Sequence, residues 1–195
     1  ELEFLGMRVT VDGIKPSPEK VDKIQSFPTP KSVKDVRSFT GLAQFYRKFI
    51  KGFSEIARPL FDLLQNNTTF QWSDTCQKAF QDLKDAICNE AILLYPDYQK
   101  TFHLTTDASG LALGATLSQE NKDGVLQPVA FGGRSLHEHE KNYGATQREM
   151  LGVVFAVEYF RHYLEGKHFE LYTDHQALIH MLTKSENKHM WARWA

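Results

Sequence analysis

Hydrophobic and polar positions follow strand and then helix spacing along the first half of the chain. Residues 2–14 alternate and reach a turn at Asp12-Gly13, which predicts a short hairpin. Helix-start patterns at Ser17-Pro18-Glu19 and Ser32-Val-Lys-Asp35 predict two helices, separated by the prolines of residues 27–30. An apolar stripe in the second helix consists of Val36, Phe39, Ala43, Tyr46 and Ile50. Further helices are predicted over 54–65 and 74–88.

The pattern changes near residue 95 and predicts a mixed sheet. The predicted elements are strands over 101–107, 111–118 and 127–134, a helix over 146–164, a strand over 168–174 and a helix over 176–183. Three consecutive strands imply an antiparallel meander. The long helix then makes a crossover that places the last strand parallel to an earlier one. The sequence therefore predicts an α+β fold, with a helical part followed by a mixed β-sheet with flanking helices.

Composition excludes several classes of protein. Of the 195 residues, 42% are hydrophobic and 24% are charged, which is typical of a globular protein and not of a disordered one. No apolar run approaches the ~20 residues that cross a bilayer, and no secretory leader is visible. The two cysteines, Cys76 and Cys88, are too few for a disulfide framework or a zinc ribbon. The net charge is −1, yet residues 31–58 contain seven Lys or Arg and two acids, which favours a local grip on a polyanion.

Acidic residues close two of the predicted strands in the same way. His103-Leu-Thr-Thr-Asp107 and Glu170-Leu-Tyr-Thr-Asp174 each end on an aspartate. If these strands are parallel neighbours, both carboxylates emerge at the C-terminal edge of the sheet, where open α/β sheets place ligands. The intervening helix carries Glu149. Three carboxylates at one place repel each other, and Mg²⁺, which prefers carboxylate oxygens, relieves that repulsion. Two such ions can activate water and stabilise a leaving oxygen, so the pattern predicts metal-assisted phosphodiester hydrolysis.

Each of these acids also has an ordinary structural interpretation. Thr146-Gln-Arg-Glu149 has the pattern of a capping box, in which Glu149 only completes the start of a helix. Asp107 precedes Ala-Ser-Gly and is suited to start a turn, and Asp174 is suited to cap the helix that follows it. Taken singly, these structural roles are the commoner ones. The joint arrangement of two matched strand-end acids and one helix acid favours catalysis.

Other candidate sites are weaker. His137-Glu-His-Glu140 alternates potential zinc ligands, but nothing near it in the sequence completes a tetrahedral set. Phosphate-binding glycine loops and the G-x-S-x-G nucleophile motif are absent from the sequence. Residues 45–51 interleave aromatic groups with the cations Arg47, Lys48 and Lys51. This pattern suits stacking on bases and contact with a phosphate backbone, and equally an amphipathic helix with a solvated basic face.

Several motifs together resemble the Pol polyprotein of Ty3/Gypsy-type retrotransposons. Those that resemble its ribonuclease H domain are Thr106-Asp-Ala-Ser109, Gly114-Ala-Thr-Leu-Ser-Gln119, Arg148-Glu-Met-Leu-Gly-Val-Val-Phe-Ala156, Phe160-Arg-His-Tyr-Leu164 and Tyr172-Thr-Asp-His-Gln-Ala-Leu178. Those that resemble the end of the palm, the thumb and the connecting region of its reverse transcriptase are Phe4-Leu-Gly6 with Gly13-Ile14, Phe27 to Leu42, Phe45-Tyr-Arg-Lys-Phe-Ile50 and Phe70-Gln-Trp72. The resemblance covers essentially the whole chain, and the motifs are ordered as in the family.

The resemblance implies a division of the chain. Residues 1–14 would end the reverse transcriptase palm as a hairpin, and residues 15–92 would form thumb and connection helices. Residues 93–195 would form the ribonuclease H-like domain without its last strand and helix.

The resemblance also implies a set of site residues. Asp107, Glu149 and Asp174 would bind two Mg²⁺ ions, with Mn²⁺ as a substitute, and cut the RNA strand of an RNA/DNA hybrid. The thumb helices would hold the primer–template through its phosphates. The candidate nucleic-acid contacts are Arg47, Lys48, Lys51, Ser109 and His175.

The sequence departs from the family pattern in two respects. The polymerase motif Y-x-D-D is absent, so polymerisation is expected of a parent reverse transcriptase and not of this chain. The family's fourth acidic ligand, in a final helix after one more strand, is also absent from these 195 residues. We therefore expect ribonuclease H activity from a longer protein rather than from this chain by itself.

The resemblance further implies partners and a location. The partners would be the RNA/DNA hybrid, the primer–template and the rest of a Pol polyprotein, with palm and fingers upstream and the remainder of ribonuclease H and integrase downstream. The location would be intracellular, in a cytoplasmic particle or the nucleus, with no membrane. The rival interpretation is a non-catalytic module, domesticated or truncated, that binds nucleic acid or serves as a structural connector.

Overall fold

The computed structural model describes residues 1–65, 69–88, 92–176 and Leu178, and it confirms the α+β prediction. The strands are β1 (Leu2–Phe4), β2 (Met7–Val9), β3 (Ile14–Pro16), β4 (Phe102–Ala108), β5 (Ala112–Glu120), β6 (Leu126–Ser135) and β7 (Phe169–Tyr172). The helices are α1 (Pro18–Gln25), α2 (Val33–Phe45), α3 (Phe53–Ile56), α4 (Arg58–Asp62), α5 (Asp74–Cys88), α6 (Ala145–Tyr159) and α7 (Arg161–Leu164). Short 3₁₀ turns span Arg47–Phe49 and Glu140–Asn142.

The N-terminal sheet has three antiparallel strands, where a two-stranded hairpin was predicted. β2 pairs with both β1 and β3. The extra reversal lies at Leu5-Gly6, where both residues have positive φ (49° and 74°), as a two-residue hairpin turn of type I′ requires. Leucine rarely adopts this conformation, so the turn could not be predicted from the residue types. The predicted turn at Asp12-Gly13 is also present, and it joins β2 to β3.

The predicted helices of the first half are present, with one exception. α2 begins after Ser32, whose hydroxyl accepts the N–H of Asp35 at 3.2 Å, as the capping pattern predicted. α5 has the predicted bounds and carries both cysteines. The single helix predicted over 54–65 is instead α3 and α4, which meet at Ala57. Pro59, in the first turn of α4, has no N–H to continue the earlier helix.

A hydrophobic core joins the helical part to the second sheet. All five residues of the predicted stripe are buried in it, but α2 ends at Phe45, so Tyr46 and Ile50 lie after the helix, on either side of the first 3₁₀ turn. Phe39 of α2 packs against Phe80 of α5, with ring centroids 4.5 Å apart. Phe131 of β6 belongs to the same cluster, and the N–H of Leu94 donates to the carbonyl of Pro128. The helical part therefore contacts the sheet directly.

The second sheet has the strand order β6-β5-β4-β7. β4, β5 and β6 form an antiparallel meander, and β7 lies parallel to β4, which confirms the predicted crossover. The crossover helix α6 packs on one face of this sheet, and α7 follows it after Phe160. The helix predicted over 176–183 lies outside the described residues, apart from Gln176 and Leu178. Within the described part of the chain, no helix is long and apolar enough to span a bilayer.

Candidate functional site

The ends of β4 and β7 lie side by side in matching register. The last paired residues are Thr105 and Tyr172, and an aspartate follows each of them two positions later. These are Asp107 and Asp174, both with exposed side chains. They line one cleft of about 350 Å³. The prediction that the two strands are parallel neighbours, with both acids at one edge, is therefore confirmed.

α6 brings Glu149 to the same edge. The helix runs close to the end of β4, because a Cβ added at Gly152 would lie 3.7 Å from the Cβ of Ala108. Glu149 precedes Gly152 by about one turn and is half-buried, and its Oε2 is buried without a hydrogen-bond partner. Glu149 is therefore close enough to Asp107 and Asp174 for their charges to act on it.

Burial and the neighbouring carboxylates both raise the pKa of Glu149. Loss of water contact raises its pKa, and the carboxylates of Asp174 and Asp107 raise it further. The side chain of His175 and the backbone N–H of Ala108 act in the opposite direction. A cation that replaces the lost water and screens the two aspartates would therefore stabilise the ionised form of Glu149.

The capping role considered for Glu149 belongs to other residues. The N-cap of α6 is Gly144, two residues before the predicted Thr146, and its N–H donates to the side-chain oxygen of Gln147 at 3.0 Å. Glu149 therefore lies beyond the first turn and takes no part in the cap.

The turn after β4 is held by Ser109 rather than by Asp107. The hydroxyl of Ser109 accepts the N–H groups of Leu111 (3.1 Å) and Ala112 (3.0 Å). Asp107 is therefore not needed to start the turn. The nucleic-acid contact predicted for Ser109 stays a prediction, and its hydroxyl has this structural role in the chain.

Arg47 and Lys48 have partners inside the protein. Arg47 Nη2 donates to the carbonyl of Gly133 in β6, and its guanidinium lies 5.6 Å from the ring centre of Tyr159. Lys48 is half-buried, with Nζ 5.2 Å from the ring centre of Phe49, and burial lowers its pKa. Nucleic-acid binding by these two residues stays a prediction.

Lys51 occupies a different position from the other two cations. It is exposed and lines a second cleft of about 220 Å³, between the end of the first 3₁₀ turn and the open face of the second sheet. Asp107 lines this cleft as well. Lys51 therefore presents a positive charge beside the carboxylate site.

His175, the remaining candidate nucleic-acid contact, is bound to the start of α6. Its Nε2 lies 2.9 Å from the hydroxyl of Thr146. Sequence reasoning assigned Thr146 to a helix cap and so missed this pairing. The spacing of Thr146 and Glu149 could have indicated that Thr146 lies near the site, since residues three apart share one face of a helix.

Glu140 of the His-Glu-His-Glu segment serves as an anchor. Both of its carboxylate oxygens accept from Arg134, at 2.6 and 2.8 Å, and one also accepts the N–H of His137 at 2.7 Å. The hydrogen bonds from Arg134 are the main reason why the pKa of Glu140 falls to about 2. The segment therefore ties the loop before α6 to β6, a role that sequence reasoning missed.

The chemistry of the three acids suits a hard divalent cation. They supply carboxylate oxygens, and one of these is buried and unpaired. In the residues that the structure describes, however, no group of three His, Cys, Asp or Glu side chains is arranged so that it could hold a metal ion. Metal binding by Asp107, Glu149 and Asp174 therefore stays a prediction that fits the donor chemistry.

A mixed sheet with the strand order β6-β5-β4-β7 and a crossover helix on one face has the architecture of a ribonuclease H-like domain. Residues 72–171 match the family described as RNase H-like domain found in reverse transcriptase. The chain belongs to this family. The match begins before α5 and includes Asp107 and Glu149, whereas Asp174 lies just after it.

The chain is similar to Pol polyproteins of retrotransposons, which confirms the predicted resemblance. It is 44% identical to the retrovirus-related Pol polyprotein from transposon 297 of Drosophila melanogaster, over all of this chain and 18% of that protein. It is 38% identical to the one from transposon gypsy of the same organism, over 99% of this chain and 19% of that protein. It is 33% identical to the transposon Tf2-3 polyprotein of Schizosaccharomyces pombe, over all of this chain and 15% of that protein. The chain thus spans less than a fifth of these relatives.

Solved structures with the same fold include foamy viral protease–reverse transcriptases. One in complex with double-stranded DNA has a TM-score of 0.80 at 21% identity, over 99% of this chain and 41% of that one. Another, in complex with an RNA/DNA hybrid, has a TM-score of 0.78 at 22% identity, over 99% of this chain and 27% of that one. At this level of identity the likeness concerns the fold.

Proposed function

We propose that this chain supplies the ribonuclease H site of a retrotransposon reverse transcriptase, which hydrolyses the RNA strand of an RNA/DNA hybrid. The observation that carries the proposal is the matching position of Asp107 and Asp174, each two residues after the last pair between β4 and β7, close to Glu149 with its unpaired oxygen. The family and the retrotransposon relatives support the class of protein.

Each acid has a distinct place in this proposal. Asp107, Glu149 and Asp174 would hold two Mg²⁺ ions, or Mn²⁺ in their place. Bound Mg²⁺ lowers the pKa of a water and neutralises charge on phosphate oxygens. The exposed pair, Asp107 and Asp174, faces the open cleft where a sugar-phosphate backbone has access. Glu149 contributes from the helix side, where its oxygen is shielded from solvent.

The helical part would hold the nucleic acid next to this site. Lys51 is placed to contact a phosphate near Asp107, because both line the second cleft. The Lys- and Arg-rich segment over 31–58 extends the positive charge, which makes the affinity dependent on salt.

Other parts of the proposal concern the whole protein. They are binding of the primer–template, the upstream palm and fingers, the downstream remainder of ribonuclease H with integrase, and an intracellular location. They are proposals because the chain spans less than a fifth of its relatives.

The test is cleavage of a hybrid with labelled RNA by a Pol protein that carries this segment. We expect cleavage that requires Mg²⁺ or Mn²⁺ and that falls by a factor of about 100 or more in Asp107→Asn, Glu149→Gln and Asp174→Asn. Glu158→Gln is the matched control, since Glu158 is an exposed acid at the far end of α6. Equal cleavage by wild type and Asp107→Asn would remove Asp107 from the site.

A non-catalytic connector is the second candidate function. It is favoured by the absence, among the described residues, of a ready three-group ion site. It is also favoured by the direct packing of the helical part on β6. A connector would bind the hybrid and leave its RNA uncut with either cation.

A further inference from the structure

A side-chain hydrogen bond joins the segment after β7, which carries Asp174, to α6, which carries Glu149. It runs between His175 Nε2 and Thr146 Oγ1, which are 2.9 Å apart. His175 directly follows Asp174, and Thr146 precedes Glu149 by three residues on the same face of α6. The contact therefore links the strand end to the helix at the level of the carboxylate site.

The Thr146 hydroxyl is available for this contact, and the backbone of His175 is hydrogen-bonded on both sides of the imidazole. The cap of α6 is made by Gly144 and Gln147, which leaves the Thr146 hydroxyl unused by the helix start. The backbone N–H of His175 donates to Thr173 Oγ1 at 3.2 Å, and its carbonyl accepts the N–H of Leu178 at 2.9 Å. The imidazole thus approaches Thr146 from a fixed backbone.

The ladder of the sheet does not reach Asp174. β7 ends at Tyr172, so Asp174 lies beyond the last paired residue of that strand. α6 meets the sheet mainly through apolar contacts, which are not directional and fix the position of a helix along the sheet only weakly. A directional hydrogen bond one residue after Asp174 adds to the apolar contact of Leu178 with Met150 and Val153, and it is the closer of the two to the carboxylates along the chain.

We propose that Thr146 and His175 are positioning residues that set the separation between Asp174 and Glu149. The inference rests on the proposed function and refines it, because His175 then acts within the chain and not as a contact to nucleic acid. Neither residue needs to touch the substrate.

The test uses matched substitutions in a Pol protein that carries this segment. Thr146→Val keeps the shape and removes the hydroxyl, whereas Thr146→Ser keeps the hydroxyl. Thr101→Val, at an exposed threonine before β4, is the control. We expect Thr146→Val to weaken Mn²⁺ binding, measured by electron paramagnetic resonance, and to lower kcat for hybrid cleavage, each by roughly 10- to 100-fold. KM for the hybrid should not change, and Thr146→Ser should restore both values.

His175→Asn separates positioning from nucleic-acid contact. We expect it to reproduce the effects of Thr146→Val, and the double variant to lose little more than either single one, because both remove the same hydrogen bond. Hybrid affinity in EDTA should equal that of wild type for both residues. A loss of affinity in EDTA for His175→Asn alone would overturn the inference.

The remaining outcomes also decide between the two proposals. If wild type cuts the hybrid and Thr146→Val cuts equally well, the positioning role is wrong and the proposed function stands. If wild type binds Mn²⁺ but does not cut, the proposed function is wrong, and the Mn²⁺ affinity of Thr146→Val decides the positioning role. If wild type binds no Mn²⁺, both are wrong.

Discussion

Asp107 and Asp174 lie at matching positions, each two residues beyond the paired residues Thr105 and Tyr172. Glu149 adds a third carboxylate to this edge, and its pKa is raised by burial and by the two aspartates. Without a cation this arrangement opposes folding, since like charges are held together. The residues proposed for chemistry therefore reduce stability, which can be measured without any substrate.

Replacing Asp107 by Asn should stabilise the protein in EDTA. A raised pKa means that the folded state favours the protonated form of Glu149, so stability falls as pH rises through that pKa. Asp107→Asn removes one of the like charges, so we expect a higher Tm than wild type at pH 7 and a smaller difference near pH 4. Adding Mg²⁺ should raise the Tm of wild type more than that of the variant, because an ion that binds only the folded state stabilises it. Thermal unfolding from pH 4 to 8 measures these differences.

The control for this prediction is Asp123→Asn, in the exposed turn between β5 and β6. Its Tm should differ little from that of wild type at every pH. A wild-type protein that is more stable than Asp107→Asn in EDTA at pH 7 would contradict the electrostatic argument.

The pair between the half-buried Arg134 and the buried Glu140 should make the protein sensitive to acid. The hydrogen bonds from Arg134 lower the pKa of Glu140 from its usual 4.5 to about 2. A lowered carboxyl pKa gives stability that is complete above about pH 4.5 and is lost as pH falls toward 2. We expect Glu140→Gln to lower the free energy of unfolding by roughly 2 kcal/mol at pH 7, and by much less at pH 2–3.

Denaturant unfolding at several pH values checks this prediction. The matched control is Glu138→Gln, two residues earlier, where an exposed carboxylate pairs with Lys141. That variant should unfold nearly as wild type does. A difference between wild type and Glu140→Gln that stays constant down to pH 2 would show that the ionised pair is not the cause.

The features that could be predicted from the sequence are those that depend on residues close together in the chain. The burial of the stripe and the start of α2 at Ser32 depend on neighbouring residues, and both were predicted correctly, whereas the helix ends at Phe45 although the stripe extends to Ile50. The matching ends of β4 and β7 were found because two similar strands end alike. The third N-terminal strand was missed because its turn begins with a left-handed leucine, Leu5.

Contacts between distant residues could not be predicted in this way. Arg47 meets a carbonyl 86 residues later, and nothing near either residue indicates the pairing. The cap of α6 was assigned to Thr146 because its side chain suits that role, yet Gly144 has it. Thr146 then became available to His175, which only the folded arrangement of α6 and β7 brings near.

Gly13 should tolerate no side chain. Its φ is +148°, and a Cβ there would lie 2.2 Å from the carbonyl oxygen of Leu93, which is part of the bridge between Ile14 and Leu93. We expect Gly13→Ala to lower the free energy of unfolding by more than about 1 kcal/mol. Alanine disfavours this positive φ, and its Cβ would clash with the carbonyl oxygen of Leu93. Gly41→Ala is the opposite control, because Gly41 lies in the exposed middle of α2 and no atom lies within 4 Å of a Cβ added there. This variant should raise the free energy of unfolding by roughly 0.5–1 kcal/mol. Equal stabilities of the two variants in urea would contradict the close approach at Leu93.

The cations Arg47 and Lys51 should differ in what they contribute. Arg47 is bound to Gly133 and lies over Tyr159, so we expect Arg47→Gln to lower the free energy of unfolding by roughly 1–2 kcal/mol. Lys51 is exposed beside Asp107, so Lys51→Gln should leave stability unchanged and weaken hybrid binding. If Lys51 contacts one phosphate, the slope of log affinity against log salt should fall by about 1 in Lys51→Gln and stay at the wild-type value in Arg47→Gln.

Binding titrations in EDTA at several salt concentrations, together with urea unfolding, measure both properties. Lys122→Gln is the control, because Lys122 is exposed in the turn between β5 and β6, at the other end of β5 from the carboxylate edge. A slope that falls by about 1 in Arg47→Gln without a loss of stability would instead support the nucleic-acid contact that the sequence predicted for Arg47. Such a result would not require the guanidinium to leave Gly133, because only Nη2 donates there and the group has five N–H donors in all.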